Sequence, residues 1–290
     1  MSGVHSLAVS EPGGGHGNAA ARLESDREAP EAPDPREVVM DEIVAALVEQ
    51  HSELAGLLAP LDESGWRRPS PCEGWTVADV VLHLAQTDEL AIGSTQGHFP
   101  EALERLAAGL GPGRDVDDGA ARMVARERGG PPAAVRCRWQ DGADELSRAL
   151  GNADPHERVQ WVAGELSIRT LATTRLAETW IHTGDVAEAL GKDLAPTDRL
   201  RHIARLAWRT LPYAFERAGR VLAGPVAFEL RGPTGDVWDF VPDTPPLTLL
   251  RGDGVELCLV AARRLLPGET NLRGDGPDAE AVLDLVRTYA

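Results

Sequence analysis

From Pro35 to Arg220 the apolar residues of this chain recur at helical spacing, whereas after Gly224 they gather into short strand-like runs. Such a change of period divides the chain into a helical part and a smaller mixed part. With 290 residues there is enough length to bury a core for two modest domains.

The helical part reads as several long segments. One runs from Pro35 to about Leu58 and carries His51, whose neighbours Gln50, Ser52 and Glu53 imply a solvated position. After the proline-rich turn at residues 66–75, Thr76 is placed to cap a helix with Asp79 three residues later. Val77, Val80, Val81 and Leu84 form its buried stripe, with His83 beside it. A third segment starts near Pro100 and fades into the glycine-rich residues 111–119, and another spans Pro131 to Leu150. A further helix covers roughly 165–190, and Pro196 to Arg220 forms a helix or helix pair broken at Pro212. Long helices joined by loops describe an antiparallel bundle, a fold that builds sites from inward side chains on facing helices.

Beyond it, strands are predicted at 226–231, 237–241 and 247–251, with a helix from Asp253 through Leu266. A short strand at 271–274 and a terminal helix from Pro277 complete an α+β unit. The RGD at Arg251 to Asp253 ends a strand and caps a helix. The expected division is a disordered leader at 1–36, a helical bundle at 37–222 and an α+β domain at 223–290. The glycine triplet at 13–15 lacks the flanking strand and helix of a phosphate loop, so it reads as part of that leader.

Charge narrows the partners. Acidic residues outnumber basic ones 46 to 29, a net charge of −17 that repels nucleic acid and anionic membrane surfaces. Cys72, Cys137 and Cys258 are widely spaced and form no CxxC pair, which argues against a disulfide framework and for a reducing cytoplasm. No apolar run is long enough for a membrane span, and no basic head followed by an apolar stretch opens the chain. Lys192 is the sole lysine, a bias that points to a GC-rich genome.

Glu178 and His182 stand four residues apart and therefore on one helix face, where His83 from a second helix can join them. Two imidazoles and a carboxylate suit zinc and leave a position open for chemistry. Taken singly, the Glu/His spacing also fits an intrahelical surface pair, and His83 fits a satisfied core histidine. Asp185 is placed to orient the His182 ring or to lie on the helix surface, and Arg175 to neutralise Glu178. Trp75 and Trp180 read as walls of a ligand cavity or as core.

The segments PCEGWTVADVVLHLA (71–85) and LAETWIHTGDVAEALG (176–191) resemble the two signature segments of the mycothiol-dependent maleylpyruvate isomerase family, within the DinB-like metal-binding superfamily. Residues 232–238, 257–264 and 274–284 resemble the family's smaller C-terminal domain, so the resemblance covers nearly everything after residue 36. It implies a mainly α fold, a DinB-like antiparallel four-helix bundle followed by a small α+β domain. It also implies a divalent metal, usually zinc, held by His83, Glu178 and His182, with mycothiol presented to it. Arginines of the family's C-terminal domain help bind an anionic substrate, which implies that role for Arg263 or else Arg264, while helical packing against the bundle is an equally good reason for either.

The expected function is therefore a metal-dependent thiol transferase or isomerase acting on an electrophilic small molecule through a metal-bound thiolate. Two further readings stay open: a thiol-independent hydrolase, lyase or isomerase, and a non-enzymatic ligand-binding or regulatory protein with a structural metal.

Overall fold

Apolar stripes at helical spacing can be buried only against one another, and four long helices do this here. The computed structural model describes residues 35–111 and 113–288. The expected leader, except for its last two residues, lies outside them. Helix α1 (Pro35–Leu58) is followed by one turn, α2 (Glu63–Trp66), and by α3 (Val77–Thr95). Then come α4 (Phe99–Leu106), α5 (Val116–Glu127), α6 (Pro132–Gly151), a hairpin of β1 (Arg158–Trp161) and β2 (Gly164–Ser167), and α7 (Ile168–Leu190). Helices α1, α3, α6 and α7 close a ring, α3 packing on α6, α6 on α1, α1 on α7 and α7 on α3. This is a mainly α fold, an antiparallel four-helix bundle followed by a small mixed sheet.

The stripe expected on α3 is buried to the last residue, with Val77, Val80, Val81 and Leu84 at 0% exposure. Its start is fixed by a full capping box: the Thr76 hydroxyl accepts from the Asp79 amide, and the Asp79 carboxylate accepts from the Thr76 amide. Gly191, in the left-handed region at φ 65°, ends α7.

Two short helices, α8 (Leu200–Arg209) and α9 (Leu211–Arg217), lead to the sheet, and the break between them falls at Thr210, two residues before the proline that marks it. Strands β3 (Val226–Arg231), β4 (Val237–Phe240), β5 (Thr248–Asp253) and β6 (Arg273–Asp275) lie in the order β4-β3-β5-β6. β3 runs parallel to β5, with Phe228 opposite Leu250, while β4 and β6 pair antiparallel on either side. Helices α10 (Gly254–Ala261) and α11 (Ala279–Leu285) complete this part. Its inner residues Phe228, Leu230 and Leu250 join the same core as Ile203 and Ala207 of α8. The Trp208 indole donates to the Val226 carbonyl at 2.7 Å.

Several expectations need correction. Helix α5 arises where a fading glycine-rich loop was expected, because Asp115 caps it and Met123 and Val124 bury against the bundle. The β1–β2 hairpin is too short, at four residues a strand, to leave a periodic signal. α10 stops at Ala261, not Leu266, since the chain turns through a left-handed residue at Arg263, φ 59°. His51 is not solvated: it is buried in the bundle with its ring edge-on to Trp139, 6.0 Å away, and Gln50 beside it is buried as well.

Candidate metal centre

The turn before α3 sets one wall. Pro69 bridges to Thr76, the Ser70 amide donates to the Trp75 carbonyl at 2.9 Å and the Trp75 amide to the Cys72 carbonyl at 3.0 Å. Gly74 supplies the positive φ of 74° that this tight reversal requires. Cys72 and Trp75 are thereby held over the site, the Trp75 ring lying 5.2 Å from that of His83 and 6.5 Å from that of His182.

Helices α3 and α7 supply the centre itself. Nε2 of His83 and Nε2 of His182 approach the same atom, Glu178 Oε1, at 3.0 and 3.4 Å. The three ligand atoms lie within 4.8 Å of one another. Both imidazoles are buried, and their rings meet edge-on at 4.9 Å. Asp185, one turn beyond His182, is bonded to His182 Nδ1 at 2.9 Å, so the nitrogen facing away from Glu178 has a fixed partner. His83 Nδ1 is buried without a hydrogen-bond partner among the described residues.

Burial and charge act against each other here. Burial lowers the affinity of His83 for a proton, and its bond to Glu178 offsets this only in part, so His83 favours the neutral form that ligates metal. Burial also opposes the Glu178 charge, yet bonds from His182 and His83 outweigh it and hold the carboxyl well below the usual carboxylate range. For His182, burial is outweighed by bonds to Asp185, Cys72 and Glu178, which raise it well above an ordinary imidazole. Without metal the Glu178 carboxylate thus draws both rings together, and a cation ligated by all three would replace the His182 proton.

Asp185 gathers further partners. Arg264 donates through Nε to Oδ1 and through Nη2 to Oδ2, both at 2.7 Å, and Cys72 Sγ donates to Oδ2 at 3.2 Å. Burial of Asp185 is more than offset by its bonds from Arg264 and His182, and its carboxyl sits far below the usual range. Cys72 Sγ also lies 3.9 Å from His182 Nδ1, and Cys72, His182 and Asp185 form a second group with metal-ligand spacing. The bidentate guanidinium already supplies the positive charge there.

The structure brings His83, Glu178, His182 and Asp185 together, and of the two arginines it sets Arg264 against Asp185. The left-handed turn at Arg263 accounts for this: the Arg263 amide bonds to the Val260 carbonyl and the Arg264 amide to the Leu259 carbonyl, a Schellman end to α10 that sends Arg264 toward α7. Nor does Arg175 neutralise Glu178. It is fully buried and bonds to Asp88 of α3 at 2.9 and 3.1 Å. Trp180 lines a groove of about 300 Å³ on the neighbouring face of α7, with Ile181, Leu194 and Leu259 and beside Asp185 and Arg264. Cys72 lies within residues 71–85, yet nothing in its spacing to α7 reveals its contact with Asp185.

A family model for the mycothiol maleylpyruvate isomerase N-terminal domain matches residues 47–187, a span containing His83, Glu178, His182 and Asp185. An uncharacterized protein of Mycobacterium tuberculosis, found alike in strains CDC 1551 and H37Rv, is 32% identical over 248 residues, covering 85% of this chain and 95% of that relative. The chain belongs to the mycothiol maleylpyruvate isomerase family. The crystal structure of the mycothiol-dependent maleylpyruvate isomerase itself is 17% identical and superposes with a TM-score of 0.53 over 83% of this chain and 95% of that one. A histidine-to-alanine mutant of that enzyme matches equally, with a TM-score of 0.53. At this identity the likeness shows that the family's fold is shared. Among the described residues no helix is long and apolar enough to cross a membrane.

Proposed function

We propose that the protein is a metal-dependent thiol transferase or isomerase, in which His83, Glu178 and His182 hold a divalent metal and a thiol of the mycothiol type is added to an electrophilic small molecule. The observation that carries this reading is the approach of two imidazole Nε2 atoms to one carboxylate oxygen, with a carboxylate fixed behind one ring. Two nitrogens and one oxygen fit zinc and leave positions for an incoming group. A bound zinc ion lowers the pKa of a coordinated thiol toward neutrality and fixes its place.

The chain's own residues do the rest. Asp185 holds the His182 ring at Nδ1 and so aims Nε2 at Glu178. Trp75 lies against both imidazoles and forms one wall of the space an incoming group would enter. Family membership supports mycothiol as the thiol, since the matching domain and the superposed enzyme are both named for it.

Elemental mass spectrometry of the purified protein should find about one zinc per chain, lost in Glu178→Ala. Turnover of electrophiles, maleylpyruvate among them, should require mycothiol and vanish in His83→Ala. Full turnover by His83→Ala would refute the mechanism, and turnover without any thiol would make water the nucleophile.

A further inference from the structure

We propose that Arg264 is a positioning residue of the metal centre: by clamping Asp185 it fixes the His182 ring, so that the segment after α10 is part of the centre. One carboxylate here accepts from three different side chains. Asp185 Oδ2 receives His182 Nδ1, Cys72 Sγ and Arg264 Nη2 at 2.9, 3.2 and 2.7 Å, while Oδ1 receives Arg264 Nε at 2.7 Å. Two parallel N–H bonds leave the carboxylate one orientation, because the planar guanidinium defines both the plane and the distance. Released from Arg264, the Asp185 side chain regains its rotation about χ2, and its Oδ2 can follow Cys72 instead of His182.

Arg264 reaches this position from outside the bundle. Its side chain is 31% exposed whereas that of Asp185 is 2% exposed, so the clamp is applied from the surface onto a buried group. A further bond, from Nη1 to the Ala262 carbonyl at 3.1 Å, ties the guanidinium to the C-cap of α10. The left-handed Arg263 makes this possible, as it closes α10 and redirects the next residue. Among the described residues it is the only non-glycine with positive φ. Backbone strain one residue before a clamp of this kind is consistent with selection of geometry over local stability.

The proposal uses the metal reading above only for one of its two readouts. The first is made on metal-free protein labelled with ¹⁵N-histidine. Nδ1–H of His182 should give one slowly exchanging resonance in the wild type, weakened or lost in Arg264→Ala and partly restored in Arg264→Lys. The second is zinc affinity by competition with a chelating dye. Arg264→Ala should bind roughly 10- to 100-fold more weakly, as second-layer losses do, and Asp185→Asn combined with it should add little. A His182 resonance unchanged in Arg264→Ala would overturn the proposal whether or not zinc binds. So would a rise in KM alone with zinc affinity intact, which would make Arg264 a substrate contact. Absence of zinc from the wild type would sink the metal reading and leave the ring readout to decide.

Discussion

Arg263 and Arg264 are adjacent in sequence and opposite in consequence. A β-carbon in the left-handed region costs about 1 kcal/mol that glycine avoids, and among the described residues the Arg263 side chain makes no hydrogen bond or ion pair with the centre. Arg263→Gly is therefore expected to raise stability by about 0.5–1 kcal/mol in urea unfolding and to leave zinc content unchanged. A loss of stability would show that the arginine side chain makes a compensating contact. The pair also shows where the sequence stops being legible. The spacing of Glu178 and His182 carries its meaning in one helix, and His83 is marked by a neighbouring motif. Which of two consecutive arginines faces Asp185 depends on a backbone dihedral that no periodicity encodes.

Helix α3 is held at both ends of its active face by different means. At its start, Thr76→Ala removes one half of the capping box and should cost about 1 kcal/mol, read as a lower urea midpoint with an unchanged slope. Further along, the Asp88–Arg175 pair, with side chains 0% and 1% exposed, ties α3 to α7 close to His83 and Glu178. Burial pushes Asp88 up to about 6 in spite of the guanidinium beside it, which marks the pair as costly in desolvation. Arg175→Met alone should then destabilise by roughly 3–5 kcal/mol, whereas Arg175→Met with Asp88→Leu should recover most of that loss. If the double variant is no better than the single one, the pair contributes net stability instead of register between the helices. The four bundle helices were legible because their stripes persist over many turns. The hairpin and α5 were not, since four-residue strands and a helix capped by Asp115 beside glycines leave too few apolar positions to count. Charge pairing hid as well: Arg175 reads from the sequence as a neighbour of Glu178, and only the packing of α7 against α3 assigns it to Asp88.

The molecule as a whole carries two buried groups whose titrations oppose each other. His51 falls from 6.5 to about 3, first because it is buried and then because of the Arg175 charge, while Asp88 rises from 3.8 to about 6 through burial. Below pH 6.5 the unfolded chain protonates His51 and the folded chain does not, so stability is lost as pH falls, by about 1.4 kcal/mol per unit down to about 3. Asp88 has the contrary sign: between about 6 and 3.8 the folded state takes up a proton that the unfolded state does not, and stability rises as pH falls. The slopes of these two groups offset each other across that interval, and of the two only His51 acts just above it and below it. His51→Leu deletes one term and keeps the other. Its stability relative to wild type should improve steadily as pH falls from 6.5, as measured by urea unfolding at a series of pH values. Parallel curves for the two proteins would mean that water reaches the His51 ring and that the bundle core around Trp139 is wetter than its packing implies.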